Sequence, residues 1–496
     1  MADGDVFNTP ALLHASNPWW RAATPDPGAN VRAHRWQARL LAWVTAADAP
    51  AVLVLEGARQ TGKSTLLAGL AMDLVAQGIP AGRVCRLCLD DTPLRWSDPA
   101  SLLDAWQALQ PGRADADYLL IDDVHLWSGD HLQTLGQLQR EHGLRLVVSA
   151  LPTALAPVGN RLAQPDQQIA RLRLSSLNFA DVLAGQGCLP ELPAAPRSLR
   201  ETFDWPRSQF AAMASALRSL GAQFHEYLLR GSSLPANAGD SVAQAHRALR
   251  RDVIERAIRV DGPGLHNVRR VDDLMRTLDY LAARNGTLLD VPDLCAQLTV
   301  ERPTVRHFLQ LLEDLQLIHR IPPLGYGDTV QRARFRICAA DPGLPHALLW
   351  QETFQGATES ALAASVESAL HRHLLGAYGS RGVQVSFAPL GRQDSTLVVG
   401  SGKTLLPFAQ QYGSSKTTPR DLVNLISFCR EHAIQRAYVA TRLPEDCGPL
   451  LIGAGDLAVM RLPAPLLCLW LAAAESPRLE YGAAAPAVTR AALPAQ

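Results

Sequence analysis

Gly57-Ala58-Arg59-Gln60-Thr61-Gly62-Lys63-Ser64 follows an apolar run, Ala51 to Leu55. It leads into a segment, Lys63 to Val75, whose apolar residues recur at helical spacing. A strand that turns through two glycines into a helix is a geometry suited to phosphate. Backbone N–H groups aim at the anion, and the helix N-terminus adds partial positive charge. A lysine reaches the outer phosphate oxygens and a hydroxyl faces Mg²⁺. Gly57 and Gly62 would let the chain fold tightly around the phosphates, with Ala58, Arg59, Gln60 and Thr61 forming the wall between them. Lys63 supplies the point charge and Ser64 the metal-facing hydroxyl; Thr65, one step off, is a poorer candidate for that hydroxyl. Lysine occurs only at Lys63, Lys403 and Lys416, so its presence at the one required position is informative. The expected ligands are ATP and Mg²⁺.

A phosphate loop needs a second half, an apolar strand that ends in acid. Tyr118-Leu119-Leu120-Ile121-Asp122-Asp123-Val124-His125 has that form. Asp122 would hold Mg²⁺ through water and Asp123 would polarise the attacking water. Between the two motifs lies one further strand, Arg83 to Leu89, and a helical stretch, Pro99 to Leu109. That spacing suits the P-loop class with an extra central strand. A fourth strand, Leu144 to Ser149, ends on a hydroxyl where that class senses the γ-phosphate. Phosphoryl transfer often also needs an arginine from a neighbouring subunit. Arg161 is the first candidate for that duty and Arg171 the second.

At 496 residues the chain exceeds what one core usually holds, and three or four structural units are expected. Hydrophobic residues at 47% and charged residues at 19% match a soluble globular protein rather than a disordered one. The formal net charge of +0 gives no global field for nucleic acid, which leaves only a local patch open. Cys85 and Cys88 form the chain's CxxC, inside an apolar strand-like run with no second ligand pair nearby. A closed zinc site needs four ligands, so reduced thiols in a cytosolic protein are the simpler reading. The N-terminus has no signal-peptide pattern. The apolar run Leu466 to Ala474 is too short to span a bilayer. The expected location is the cytoplasm, with no membrane partner.

Strands and helices alternate from Ala51 to about residue 174, with Ile169 to Leu174 as a fifth strand. The implied fold is α/β, a mostly parallel sheet with helices on both faces. A proline-rich stretch (Pro190, Pro193, Pro196) then opens a helical region. Beyond about residue 346 the order becomes helix, strands, helix, strand.

Asn17-Pro18-Trp19-Trp20, the phosphate loop, Asp122-Asp123, and Leu177-Asn178-Phe179 before Leu183 occur in one order. In that order the chain resembles a large family of prokaryotic AAA-type ATPases that carry a winged helix and a restriction-endonuclease-like C-terminal domain. The likeness continues through Ala282-Ala283-Arg284-Asn285-Gly286, Asp293-Leu294-Cys295 and Thr304-Val305-Arg306. The family usually has Asp-Glu where this chain has Asp122-Asp123; the shorter side chain bears on catalytic rate rather than binding. With the composition, the resemblance implies six regions. They are an irregular arm (1–30), an AAA-type P-loop core (31–185), a linker and helical lid (186–265), a winged helix-turn-helix (266–345), a nuclease-like domain (346–475) and a disordered tail (476–496). Trp19 and Trp20 would pack on the adenine or on the back of the sheet.

Val291 to Leu298, a turn, and a helix opened by Pro303 read as a helix-turn-helix, with Arg302, Arg306 and His307 on its exposed side. Glu301, Glu313 and Asp314 dilute that charge, so DNA contact and a purely structural role both stand. In the nuclease-like region the family's metal-binding pattern is broken. Glu367 matches its helix acid, but Thr396 stands for the strand Asp, and Ala409 and Gln411 stand for Glu and Lys. Asp394 would point to the same strand face as Thr396 and could stand in part for the first acid. The missing Glu and Lys have no substitute, since Lys403 lies on the turn before their strand, and no nuclease activity is expected. The expected function is an ATP-driven molecular switch or remodelling ATPase, self-associating through the ATP site and acting on an unidentified protein client. Its rivals are an ATP-regulated DNA-binding protein and an ATP-gated nuclease.

Overall fold

The computed structural model describes residues 8–21, 34–90, 93–110, 117–162, 168–217, 219–232, 241–262, 268–325, 334–349, 358–389, 396–401, 404–453, 455–475 and 479–483. The chain forms two compact units, Met1–Ser175 with Pro477–Gln496, and Ser176–Ser476.

The first unit is built on β1 (Val52–Gly57), β2 (Val84–Cys88), β3 (Tyr118–Asp122), β4 (Arg145–Ala150) and β5 (Gln168–Leu174). Their order is β5-β1-β4-β3-β2, all parallel. β4 lies between β1 and β3, so the strand carrying the phosphate loop and the strand carrying the acid pair flank one central strand. Every residue of β1 is buried, as expected when helices cover both faces of a parallel sheet. Leu53 and Leu55 pack under helix Lys63–Ala76 through Leu66, Leu67 and Leu70. On the opposite face Cys85, Leu87 and Leu119 meet Leu102, Trp106 and Leu135 of helices Pro99–Leu109 and Gly129–Glu141.

Two regions differ from the sequence reading. The arm is not irregular over residues 8–21. Pro10 lies in the first turn of a helix, Thr9–Ser16, where a proline's missing N–H costs nothing, and Asn8 caps it. Asn17 then pairs with edge strand β2 as a peptide would: its Oδ1 accepts from Arg86 N–H at 2.6 Å and its Nδ2 donates to Arg86 C=O at 3.0 Å. Trp19 and Trp20 both donate their indole N–H to the Val84 carbonyl, at 3.0 and 2.9 Å. The two tryptophans therefore sit on the sheet and help close an edge that would otherwise expose unpaired backbone. The second correction concerns the tail. Residues 479–483 form β15, antiparallel to β5 from Leu479 opposite Leu172 to Ala483 opposite Gln168. β5 offered an open edge, and Leu479 adds apolar contact with the core.

The second unit holds a six-stranded mixed sheet of β9 (Val385–Phe387), β10 (Leu397–Ser401), β11 (Thr404–Gln411), β12 (Arg436–Thr441), β13 (Gly448–Ile452) and β14 (Leu457–Pro463). Their order is β13-β14-β12-β11-β10-β9. Helices Glu359–Tyr378 and Ala464–Ala474 cover one face and Val423–Glu431 the other. Three strands, β6 (Thr287–Leu288), β7 (Ile318–Ile321) and β8 (Arg336–Ala339), form a separate antiparallel sheet in the order β6-β8-β7. That sheet packs with helices Val271–Ala283, Val291–Leu298 and Arg302–Asp314. The helices Arg207–Ala216, Leu220–Arg230 and Val242–Leu249, read as a lid, put Phe210, Phe224 and Leu249 into the cores of this unit. Residues 402–403 and 390–395, with Lys403 and Asp394, lie outside the described residues.

Arg336 of β8 and Glu367 of helix Glu359–Tyr378 form an ion pair in which each residue is at most 3% exposed. Removing one partner strands the other charge in an apolar core. Arg336→Met should lower stability by about 3–5 kcal/mol, and adding Glu367→Leu should recover most of that loss. Urea denaturation of both variants checks this; a single variant as stable as the parent would refute it.

Candidate functional site

The loop after β1 is tight for two local reasons. A Cβ on Gly57 would lie 2.6 Å from Thr61 Oγ1 and 2.8 Å from the Leu174 carbonyl. Gly62 has φ +88°, which side-chain-bearing residues rarely adopt, and a Cβ there would meet the His34 ring at 2.7 Å. Thr61 Oγ1 donates to the Ala58 carbonyl at 3.0 Å and braces the loop from within. Lys63, in the first turn of the helix, folds back over the loop. Its Nζ donates to the carbonyls of Gly57 at 2.9 Å and Ala58 at 2.7 Å. Ser64 is exposed beside it and Thr65 half-buried. Gln60 is exposed, and Arg59 reaches Asp90, with 3.7 Å between Nη1 and Oδ2.

The acid pair stands at the end of β3. Asp122 is 2% exposed, and both of its oxygens are engaged. Oδ1 accepts from Ser149 Oγ at 2.7 Å, and Oδ2 lies 3.3 Å from Arg86 Nη2. Asp123 turns the chain out of the sheet with φ +57°, and its N–H donates to the same Ser149 Oγ at 2.8 Å. Ser149 therefore ties both acids to β4, and the structure brings together Lys63, Asp122, Asp123 and Ser149 on neighbouring strand ends. Burial, with a lesser contribution from Asp122, raises the Asp123 pKa to about 6, although Lys63 and Arg59 oppose the rise. That makes Asp123 a stronger base than an ordinary carboxylate.

Two residues that sequence reasoning gave no role belong to this cluster. Arg86 is one. The other is His125, buried with its Nδ1 3.9 Å from Asp123 Oδ1. Burial first, then Lys63 and Arg59, lower its pKa to about 3, so the ring is neutral. Among the described residues neither of its ring nitrogens has a hydrogen-bond partner. Its signal in the sequence was only its place two residues after the acid pair.

The arginine candidates separate. Arg161 is exposed at the end of helix Leu155–Leu162, and its guanidinium covers Gly129, where a Cβ would lie 1.8 Å from Nη1. Arg171 is in β5, flanked by β1 and β15, a position inside the sheet rather than at a rim. The donor set fits Mg²⁺ held largely by phosphate and water: Ser64 and Asp122 offer hard oxygen ligands. Among the described residues no group of three or more His, Cys, Asp or Glu side chains could hold a metal by itself. No helix among them is long and apolar enough to cross a membrane.

A domain of unknown function (DUF8612) matches residues 221–355, which lie in the second unit and exclude the phosphate loop. No curated protein matches. Among solved structures, the chain is similar to a DNA polymerase III gamma-subunit-related protein from Thermotoga maritima. They share 14% identity over 56% of this chain and 97% of that one, at a TM-score of 0.24. It is similar also to AMPPCP-bound DnaA from Aquifex aeolicus, with 16% identity over 53% of this chain and 82% of that one, at a TM-score of 0.22.

Proposed function

We propose that the chain binds ATP with Mg²⁺ in the loop Gly57–Ser64 and hydrolyses it, working as an AAA-type molecular switch or remodelling ATPase. The observation that carries the reading is the convergence of Lys63 with the Asp122–Ser149–Asp123 triad on adjacent strand ends. Lys63 exchanges the carbonyls of Gly57 and Ala58 for phosphate oxygens. Ser64, and Asp122 through water, would hold the metal, which when bound would neutralise the developing charge on the phosphates. Asp123 accepts the proton of the attacking water, and Ser149 fixes both acids through one hydroxyl. The test is ATP turnover with Mg²⁺, with and without DNA, alongside the solution mass in each nucleotide state. No turnover and no nucleotide binding would refute the reading.

Self-association through the ATP site accompanies this proposal. A P-loop core of this class often draws the positive charge on the far side of the γ-phosphate from a neighbouring subunit, and Arg161 is exposed. ATP should raise the solution mass, and Arg161→Ala should lower turnover several-fold with nucleotide affinity unchanged. A monomer that hydrolyses ATP briskly would contradict it.

A second reading, ATP-regulated DNA binding, is favoured by one observation. Arg302, Arg306 and His307 are all exposed on helix Arg302–Asp314, whose surrounding helices and three-stranded sheet suit a winged helix. DNA-stimulated turnover would favour it. For the C-terminal region we propose a nuclease-like domain without nuclease chemistry. Glu367 is committed to Arg336, Thr396 is buried, and Ala409 has no ligand atom. The Gln411 amide is spent on the Asp421 carbonyl at 2.7 Å. Single- and double-stranded DNA and RNA should survive incubation with Mg²⁺ or Mn²⁺, with or without ATP. Cleavage that disappears in Glu367→Gln or Asp394→Ala would sink that proposal.

A further inference from the structure

We infer that Arg86 is a built-in counter-ion to Asp122 that loosens the dependence of nucleotide binding on Mg²⁺. This rests on reading the loop as a nucleotide site, and the residue positions the acid rather than taking part in the chemistry.

An arginine in the middle of a sheet strand needs an explanation. Arg86 stands opposite Leu120 in the β2–β3 register, and Cys88 stands opposite Asp122. Its side chain must therefore run along the sheet for two residues to reach the acid, where Nη2 meets Oδ2 at 3.3 Å. It is mostly enclosed there: its side chain is 19% exposed, and its buried Nε has no hydrogen-bond partner among the described residues. The strand cannot slide to relieve that placement. Asn17 grips Arg86 through both backbone groups, and Asn17 is itself tied to the Leu13 carbonyl at 2.7 Å.

With Ser149 on Oδ1 and Arg86 on Oδ2, Asp122 has a donor at each oxygen. Two consequences follow from charge alone. First, Asp122 and Asp123 together would repel a polyphosphate that arrives without metal, and the guanidinium offsets one of those charges. Metal-free nucleotide should therefore bind appreciably. Second, Mg²⁺ approaching Asp122 meets a carboxylate already shared and a positive charge beside it, so the metal should add less affinity than it would at a bare acid pair. Both effects reduce the same quantity, the coupling free energy between Mg²⁺ and nucleotide. That coupling is reciprocal, so Mg²⁺ should also bind the nucleotide complex more weakly.

The experiment measures the affinity of a fluorescent ADP analogue with EDTA and with saturating Mg²⁺, in the wild type, Arg86→Gln and Arg86→Lys. The ratio of the two dissociation constants is the coupling. In Arg86→Gln it should rise at least about fivefold, chiefly through weaker binding in EDTA. Arg86→Lys keeps the charge and should return toward the wild-type ratio. A merely structural role for Arg86 would weaken binding in both conditions alike and leave the ratio unmoved. An unchanged ratio in the Gln variant, or an equal rise in the Lys variant, would overturn the proposal. So would a wild-type ratio above about 150-fold, the strong end of such couplings; this last measurement needs no variant to fold. Failure of the wild type to bind the analogue in either condition would overturn the nucleotide reading itself.

Discussion

Lys63→Ala weakens ATP binding by about a hundredfold or more, a loss of about 3 kcal/mol. A charge-assisted hydrogen bond contributes about 1.5–3 kcal/mol, and this ammonium has two carbonyl contacts to exchange for phosphate contacts. The substitution also does a second kind of damage. Without Nζ, the carbonyls of Gly57 and Ala58 lose the ammonium's positive charge beside them, although Ala58 keeps the Thr61 hydroxyl, and their partial negative charges are less offset in the loop that must receive an anion. No other lysine is near in sequence to replace the charge: the chain's others are Lys403 and Lys416. Arg59 is the nearest cation in the loop, and it is directed to Asp90. Titration of a fluorescent ATP analogue measures the effect. Affinity within about threefold of the parent, an energy difference below 1 kcal/mol, would mean that Lys63 does not serve the phosphates.

What could be read from the sequence here was local. The phosphate loop announces itself because its glycines, lysine and hydroxyl lie within eight consecutive positions, and its flanking strand and helix have opposite periodicities. Asp122 and Asp123 were legible for the same reason, as a strand and its terminus. Alternation of strands and helices indicated a parallel sheet but not its order: β2, which lies between the two motifs in sequence, takes the edge of the parallel set, and β4 is the strand between β1 and β3. The features missed are pairings across the chain. Arg86 reaches Asp122 only because β2 and β3 settle in one particular register, and a one-residue slip would send the guanidinium to the other face. Asn17 caps the backbone of a strand 69 positions away. β15 finds β5 after the chain has built an entire second unit. Glu367 was placed by its motif position, but nothing near it in sequence indicated that Arg336 would neutralise it. The arm misled for a different reason. Proline and asparagine lower helix propensity on average, whereas here Asn8 and Pro10 occupy the cap and first turn, where they favour a helix.

Asp123→Asn should abolish most turnover, by about 10²- to 10⁴-fold, while leaving ATP affinity close to that of the parent. The case for so selective an effect is geometric. Asparagine is one of the few residues that tolerates the left-handed backbone found at Asp123, φ +57°, so the turn out of β3 should survive. The contact that fixes this residue to Ser149 is made by its backbone N–H and is indifferent to the side chain. Asp122, the proposed metal ligand, keeps both of its partners. What the substitution removes is the proton-accepting oxygen, along with a charge whose pKa burial and Asp122 had raised to about 6. Loss of that negative charge should, if anything, ease the approach of the phosphates, so the binding readout can move only slightly or toward tighter affinity. Single-turnover hydrolysis measured beside equilibrium binding separates the two steps. If the Asn variant turns over ATP at the parent rate, the base lies elsewhere. If it fails to bind ATP at all, Asp123 is holding the site together rather than activating water. Parallel measurement of Asp122→Asn supplies the contrast, because that change should weaken binding in Mg²⁺ and so lose affinity where the Asp123 variant loses rate.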